Sequence, residues 1–225
     1  GDGSWSAGVP DGGKRAVFDA TGAAAKDVTV ADNAQVGAVS FDADGYRLSG
    51  GKLAFVASKG AAVIDVKAGA HEIASPIASG VELEAKIAHG SSLELSGGMV
   101  SRGLDKLGSG WLNLSGDLSM MGTLGFDSGS VRFDSEIEGS ALDSLVVRQS
   151  DGAAPAIVRA DGETVVRHLN VEGSFIKRGA EKLVLDVRDS PRVSNLTTVK
   201  PATTNGQPPS SDLDYGFPED GSAPE

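Results

Sequence analysis

His71 and His89 lie 18 residues apart with Glu72 beside the first. Two imidazoles on adjacent turns of a repeating fold, joined by a carboxylate, would suit a divalent cation. No third ligand recurs at that spacing, and two solvated turn histidines account for the same letters. Asp42-Ala43-Asp44-Gly45 opens like a calcium loop, but it lacks the later acidic ligand and the glycine-rich nonapeptide of calcium-binding rolls, and it reads as an Asp-Gly turn. The nearest approach to catalytic chemistry is paired carboxylates. Glu82 and Glu84, Asp134 and Glu136, and Glu136 and Glu138 each stand two residues apart. On a strand that places them about 7 Å apart on one face, near the separation an inverting glycosidase uses. With 31 acidic side chains such pairs arise by chance, and no sugar-stacking aromatic accompanies them. No catalytic, metal or cofactor site is expected, and the chain is expected not to be an enzyme.

A different kind of chemistry is suggested by Asp212-Leu213-Asp214-Tyr215-Gly216-Phe217. Leu213, Tyr215 and Phe217 alternate with period two, so an extended segment would carry one apolar face. They sit in a tail, 201–225, that holds Pro201, Pro208, Pro209, Pro218 and Pro224, five acidic residues and no Lys or Arg. Such a composition is expected to be disordered alone. It is a linker with incidental apolar residues, or a strand that adds to an edge or groove of a neighbouring copy. Leu213, Tyr215 and Phe217 are the candidate self-association residues.

The elements that must position these groups are read from residues 1–200. Short apolar alternation recurs at Val28-Thr29-Val30, Val39-Ser40-Phe41, Leu53-Ala54-Phe55, Leu93-Glu94-Leu95, Leu112-Asn113-Leu114, Val131-Arg132-Phe133 and Leu183-Val184-Leu185, each placing one row inward and one in solvent. Gly-rich or Asp-Gly turns separate the runs. No long window keeps a helical period, and 31 glycines in 225 residues is about twice the usual share. The chain is expected to be all-β. The net charge of -11, of which the tail carries -5, and the lack of a basic stretch with interleaved aromatics argue against nucleic acid. No apolar run is long enough to span a bilayer, and the first residues, GDGSWSAGVP, lack the parts of an export signal. With no Cys, thiolate metal sites and disulfides are excluded.

Repetition selects the architecture. LSGG at Leu48 and again at Leu95 are 47 residues apart, and LSG at Leu114 follows after 19. With roughly 19 to 24 residues per coil these are two coils and one, the mark of a stacked solenoid. Eight or nine coils would form a rod about 40 Å long. The expected fold is a right-handed parallel β-helix over 1–200, its lumen filled by stacked aliphatics; the alternative is a β-sandwich.

The succession W-S-A-G-V-P from Trp5, V-G-A-V-S-F from Val36, G-Y-R-L-S-G-G from Gly45, I-D-V-K-A-G-A from Ile64 and LDKLGSGWLNLSG from Leu104 to Gly116 resembles the autotransporter-associated β-strand repeat of bacterial passenger proteins. It is best matched over 5–116. Before Leu93 the phrase has His89 and Ser91 where glycines would fall, and a third copy, FIKRGAEKLVLDV, retains Lys177, Gly179, Leu183 and Leu185. The resemblance implies a parallel β-helix exported to a bacterial surface or released from it, a scaffold without catalytic residues. Lys106, Gly108, Gly110, Leu112, Leu114 and Gly116 are its corner and core positions, with the two leucines in the lumen, Asn113 outward and the glycines allowing a sharp corner. The expected role is structural or surface-interacting, by self-assembly of copies into a fibre or surface layer. The alternatives are a carbohydrate-active β-helix and an adhesin for surface glycans, with Arg132, Arg148, Arg159 and Arg167 as outward contacts. No membrane insertion by this chain is expected.

Overall fold

The computed structural model describes residues 12–20, 26–134, 142–148, 156–160, 164–166, 168–172, 175–178, 183–185 and 193–194. Three short strands build each coil. The first coil is β1 (Arg15–Phe18), β2 (Asp27–Val30) and β3 (Ala34–Val36), and the second is β4 (Ala38–Phe41), β5 (Arg47–Gly50) and β6 (Leu53–Phe55). The third holds β7 (Ala62–Val66), β8 (Ala70–Ile73) and β9 (Ile77–Ser79), and the fourth β10 (Leu83–Ile87), β11 (Ser92–Leu95) and β12 (Met99–Ser101). The fifth holds β13 (Leu104–Leu107), β14 (Trp111–Leu114) and the first part of β15 (Leu118–Phe126); the rest of β15, β16 (Ser130–Phe133) and the start of β17 (Leu142–Arg148) close the sixth. The winding continues through β18 (Ala156–Ala160), β19 (Thr164–Val166), β20 (His168–Glu172), β21 (Phe175–Arg178), β22 (Leu183–Leu185) and β23 (Val193–Ser194).

Every pairing among the described residues is parallel, and it joins strands one coil apart; the interior strands pair on both sides, and β1, β2, β3, β19, β21, β22 and β23 on one side among the described residues. The chain is a right-handed parallel β-helix, the sense taken by nearly all crossovers between parallel strands. A sandwich of antiparallel hairpins is thereby excluded. One coil takes from 19 residues (Ser92 to Trp111) to 27 (Ser130 to Ile157). Leu48, Ile73, Leu95 and Leu114 are successive register partners, so the LSGG phrases are two coils apart and the LSG phrase one further coil on.

Alternation fills the lumen. Ile64, Ala85, Lys106 and Phe126 form one inward row of the first column of strands, and Leu93, Leu112, Val131 and Val158 one of the second. Each fully buried Leu, Ile or Phe contributes about 1.5 to 3 kcal/mol. The first coils depart from an all-aliphatic lumen. Phe18 stacks on Phe41 at 5.3 Å, Phe41 on the His71 ring at 4.3 Å, and Tyr46 leans on Phe18 at 5.2 Å.

Corners are set by glycine where nothing else fits. Gly108 has φ +82, and a Cβ there would overlap the Ile87 carbonyl oxygen of the coil before. In that earlier coil the left-handed position is taken by Gly90 (φ +72), one residue after His89.

Candidate functional site

The repeat phrase folds as one corner with its flanking strands. Leu112 and Leu114 are buried in the lumen and Asn113 faces outward, half-buried. Gly110 and Gly116 keep ordinary backbone angles but are needed for close approach, since a Cβ would strike Ala88 O and Gly98 N respectively. Lys106 lies fully inside the lumen, above Ala85, whose small side chain leaves room. Its Nζ donates to Gly108 O and, at 2.7 Å, to Ser128 O, tying the corners of two adjacent coils. Burial pushes its pKa down to about 8, against a smaller upward pull from Asp127. The third copy of the phrase is displaced by one column. Phe175–Arg178 pairs in the second column and Leu183–Leu185 in a separate pair with β19, whereas Leu104–Leu107 belongs to the first. Lys177 stands in register with Val158, the row of Leu112, because the chain reaches this phrase a third of a coil later.

The two histidines are not brought together. His71 is in register with Leu93, and His89 is exposed in the following turn near Ser109 Oγ at 3.4 Å. The His71 Nδ1 accepts from the Tyr46 backbone N–H at 3.2 Å, and its Nε2 is 2.7 Å from the Ala68 carbonyl, to which it donates. This is the geometry of a neutral ring held by backbone, and burial lowers its pKa. Among the described residues no group of three His, Asp or Glu is placed to hold a metal ion. Asp42 accepts from Ser40 Oγ at 2.6 Å and from Lys67 Nζ at 2.9 Å, which together hold its carboxyl below its ordinary pKa. Asp44 Oδ1 accepts from Ala70 N–H at 2.7 Å, and Gly45 has φ +83, so the segment is a cross-coil Asp-Gly turn.

Of the paired carboxylates, Glu84 is bound to Lys86 at 3.1 Å and Asp134 to Arg132 at 2.5 Å. Glu136 and Glu138 lie outside the described residues, as do Arg167, Gly179 and the tail residues Leu213, Tyr215 and Phe217.

The outer face of the second column, from Arg47 to Arg159, carries a ladder of charged residues broken by Asn113, and no linear stretch of sequence contains it. Arg47, Glu72, Glu94, Asn113, Arg132, Arg159 and Arg178 are successive register partners. Its acidic rungs are hydrogen-bonded locally, and Glu72 is also ion-paired. Glu72 accepts from Arg47 Nε at 2.7 Å and from Ser96 Oγ, and Glu94 from Ser115 Oγ at 2.7 Å. Burial raises the Glu72 pKa, but the Ser96 and Arg47 hydrogen bonds outweigh it and the carboxyl is held low. The last three rungs are all arginine. One residue row over, Ser92, Trp111, Ser130, Ile157 and Ile176 follow one another, with Trp111 half-buried. Arg148 belongs to the first column, where it reaches across Gly125 to Asp105, and so lies off the ladder.

The first coil differs from those that follow. Among the described residues β1, β2 and β3 each have a strand partner on one side only. Val28 and Ala34 are partly buried, whereas their partners Leu48 and Leu53 in the next coil are fully so. Comparison with family models, with curated proteins and with solved structures returns no match.

Proposed function

We propose that the chain is a non-enzymatic scaffold of the bacterial exterior, displayed or secreted, whose copies associate end to end through their coil faces into a fibre or layer. The observation that carries this reading is the first coil, which among the described residues has three one-sided strands and a lumen row less covered than the next. Unpaired strand edges over an apolar row are templates for another copy. Export is supported by the resemblance of the Leu104–Gly116 phrase to the passenger repeat. The alternating tail supplies a second contact, its Leu213, Tyr215 and Phe217 docking on a neighbouring copy.

Negative-stain microscopy and sedimentation over a concentration series test the proposal. Wild type forms rods longer than one chain. Val28→Lys, which puts a charge on the open lumen row, abolishes them while the far-ultraviolet spectrum is kept. Deletion of 201–225 separates coil-face from tail association: unchanged polymerisation removes the tail from the mechanism. A wild type that stays monomeric at every concentration refutes end-to-end assembly.

A further inference from the structure

We propose that the outer face of the third column is the docking surface for the tail segment Asp212–Phe217, taken from its own chain when the molecule is alone and exchanged with a neighbour on assembly. The row Gln35, Ala54, Ala78, Val100 and Ser119 runs in register through five successive coils. It carries no charge. The outward rows of the other two columns are charged over the same coils, as at Glu84 and Asp105 or at Glu72 and Glu94. Two of the three exposed large hydrophobics among the described residues stand on this strip or at its end. Val100 is 58% exposed, and Met121, two residues beyond Ser119 on β15, is 78% exposed.

The dimensions of the strip select its occupant. β6, β9 and β12 each turn two residues into the lumen and one outward, so the strip is one residue wide. Its length from Gln35 to Ser119 is about 19 Å at the strand spacing of a parallel stack. So narrow a face falls well short of the roughly 800 Å² per partner that a stable dimer buries, whereas a single extended segment covers it. Leu213, Tyr215 and Phe217 lie on one face of such a segment and span about 13 Å, against about 14 Å from Ala54 to Ser119. Charge points the same way. Lys52, Lys59 and Arg102 border the part from Ala54 to Val100, and all three are exposed cations with no hydrogen bond or ion pair among the described residues. Glu82 is the one acidic residue in the corners along that part, and Asp32 and Asp117 stand at the two ends of the strip. The tail from 211 to 220 holds Asp212, Asp214, Glu219 and Asp220 and no base. Reach is sufficient as well. Val193–Ser194 lies in the first column five coils beyond β10, the coil of Val100, or about 24 Å. The 19 residues from Ser194 to Leu213 cover about 24 Å as a flexible chain. A tether of that length holds the segment near its own strip at an effective concentration in the millimolar range, and the same contact is exchanged between copies once they are held together.

This inference rests on the tail being an interaction segment and not on end-to-end stacking, so the test uses the full chain carrying Val28→Lys. The chain has no cysteine, which leaves an introduced pair as its only thiols. Under mild oxidation Val100→Cys/Tyr215→Cys closes an intrachain disulfide at least about tenfold faster than Lys86→Cys/Tyr215→Cys, whose first position lies in the same coil on the first column. Adding Leu213→Ser/Phe217→Ser removes that preference, and adding Lys52→Glu/Arg102→Glu reduces it severalfold. Without Val28→Lys, the Val100→Cys/Tyr215→Cys chain gives a growing share of interchain product as its concentration rises. Equal rates for the two pairs, or a preference untouched by Leu213→Ser/Phe217→Ser, overturn the proposal. So does a faster disulfide between two copies of the single variant Val100→Cys, which would assign the strip to a second copy. Equal rates in a chain whose Val28 form still makes rods refute the tail strip and leave end-to-end assembly standing; a fast strip pair in a chain that never makes rods does the reverse.

Discussion

Replacing Lys106 by methionine keeps the length of the side chain and removes its ammonium from the lumen. In the wild type that ammonium is fully buried, donates to Gly108 O and Ser128 O, and has a pKa lowered from 10.5 to about 8. A base with a depressed folded-state pKa binds fewer protons folded than unfolded between the two values, so stability rises with pH across that window. Its stabilising contribution is complete above 10.5 and is lost as pH falls through about 8. With these two values, moving from pH 7 to pH 10 stabilises the wild type by about 2.5 kcal/mol through this residue alone. Other groups titrate in the same range, so the quantity to measure is the difference between wild type and Lys106→Met. Urea unfolding at half-unit intervals from pH 7 to 10, followed by far-ultraviolet circular dichroism and by tryptophan fluorescence, gives it. The midpoint of the wild type climbs relative to the variant, most steeply between pH 8 and 10. Parallel curves over the whole range would show that the ammonium is hydrated in solution and that the lumen at this corner is not closed.

Gly60 and Gly108 both have positive φ, but a Cβ at 60 meets nothing within 4 Å while one at 108 meets the Ile87 carbonyl. Gly60→Ala therefore loses about 1 kcal/mol from backbone strain, and Gly108→Ala clearly more, in thermal unfolding. His71 is held neutral, its pKa depressed by burial, so its contribution is intact above its unfolded value of 6.5 and declines as pH falls below it. The melting temperature of wild type thus drops between pH 7 and 5 by more than that of His71→Leu. Gly125→Val displaces Arg148 from Asp105. Because that pair keeps 39% and 43% of its side-chain surface exposed, a double-mutant cycle with Arg148→Met gives a coupling under about 1 kcal/mol.

What the sequence disclosed was the part of the fold that repeats locally. Leu48, Leu95 and Leu114 carry the same phrase, and a shared phrase in a stacked fold means a shared corner, so their register was legible from spacing. Leu112-Asn113-Leu114 likewise shows its inward and outward rows through period two alone. Lys106 is set among the corner and core positions by the resemblance alone, and what lets a lysine be buried there is evident only when Ala85 below it and the carbonyls of Gly108 and Ser128 are in place. The phrase containing Lys177 was misleading about its column, because coil length varies from 19 to 27 residues and the variation accumulates. The arginine ladder is hidden for the same reason: Arg132, Arg159 and Arg178 stand 27 and 19 residues apart, with no common phrase around them.

The long strand β15 pairs with β12 at Leu118–Met120 and with β13 at Leu124–Phe126, so one uninterrupted strand serves both the third and the first column. Away from β15 and from β17, whose Leu142 pairs with Met120 and whose Leu145 pairs with Leu124, a coil can fray from an end by releasing one short strand at a time, as in any quasi-one-dimensional stack. At β15 the fraying front meets a single segment held on two faces, and freeing either half loads the other. Under axial force or thermal unzipping from the C-terminal side, loss of structure is expected to slow at this segment before entering the four complete coils beneath it.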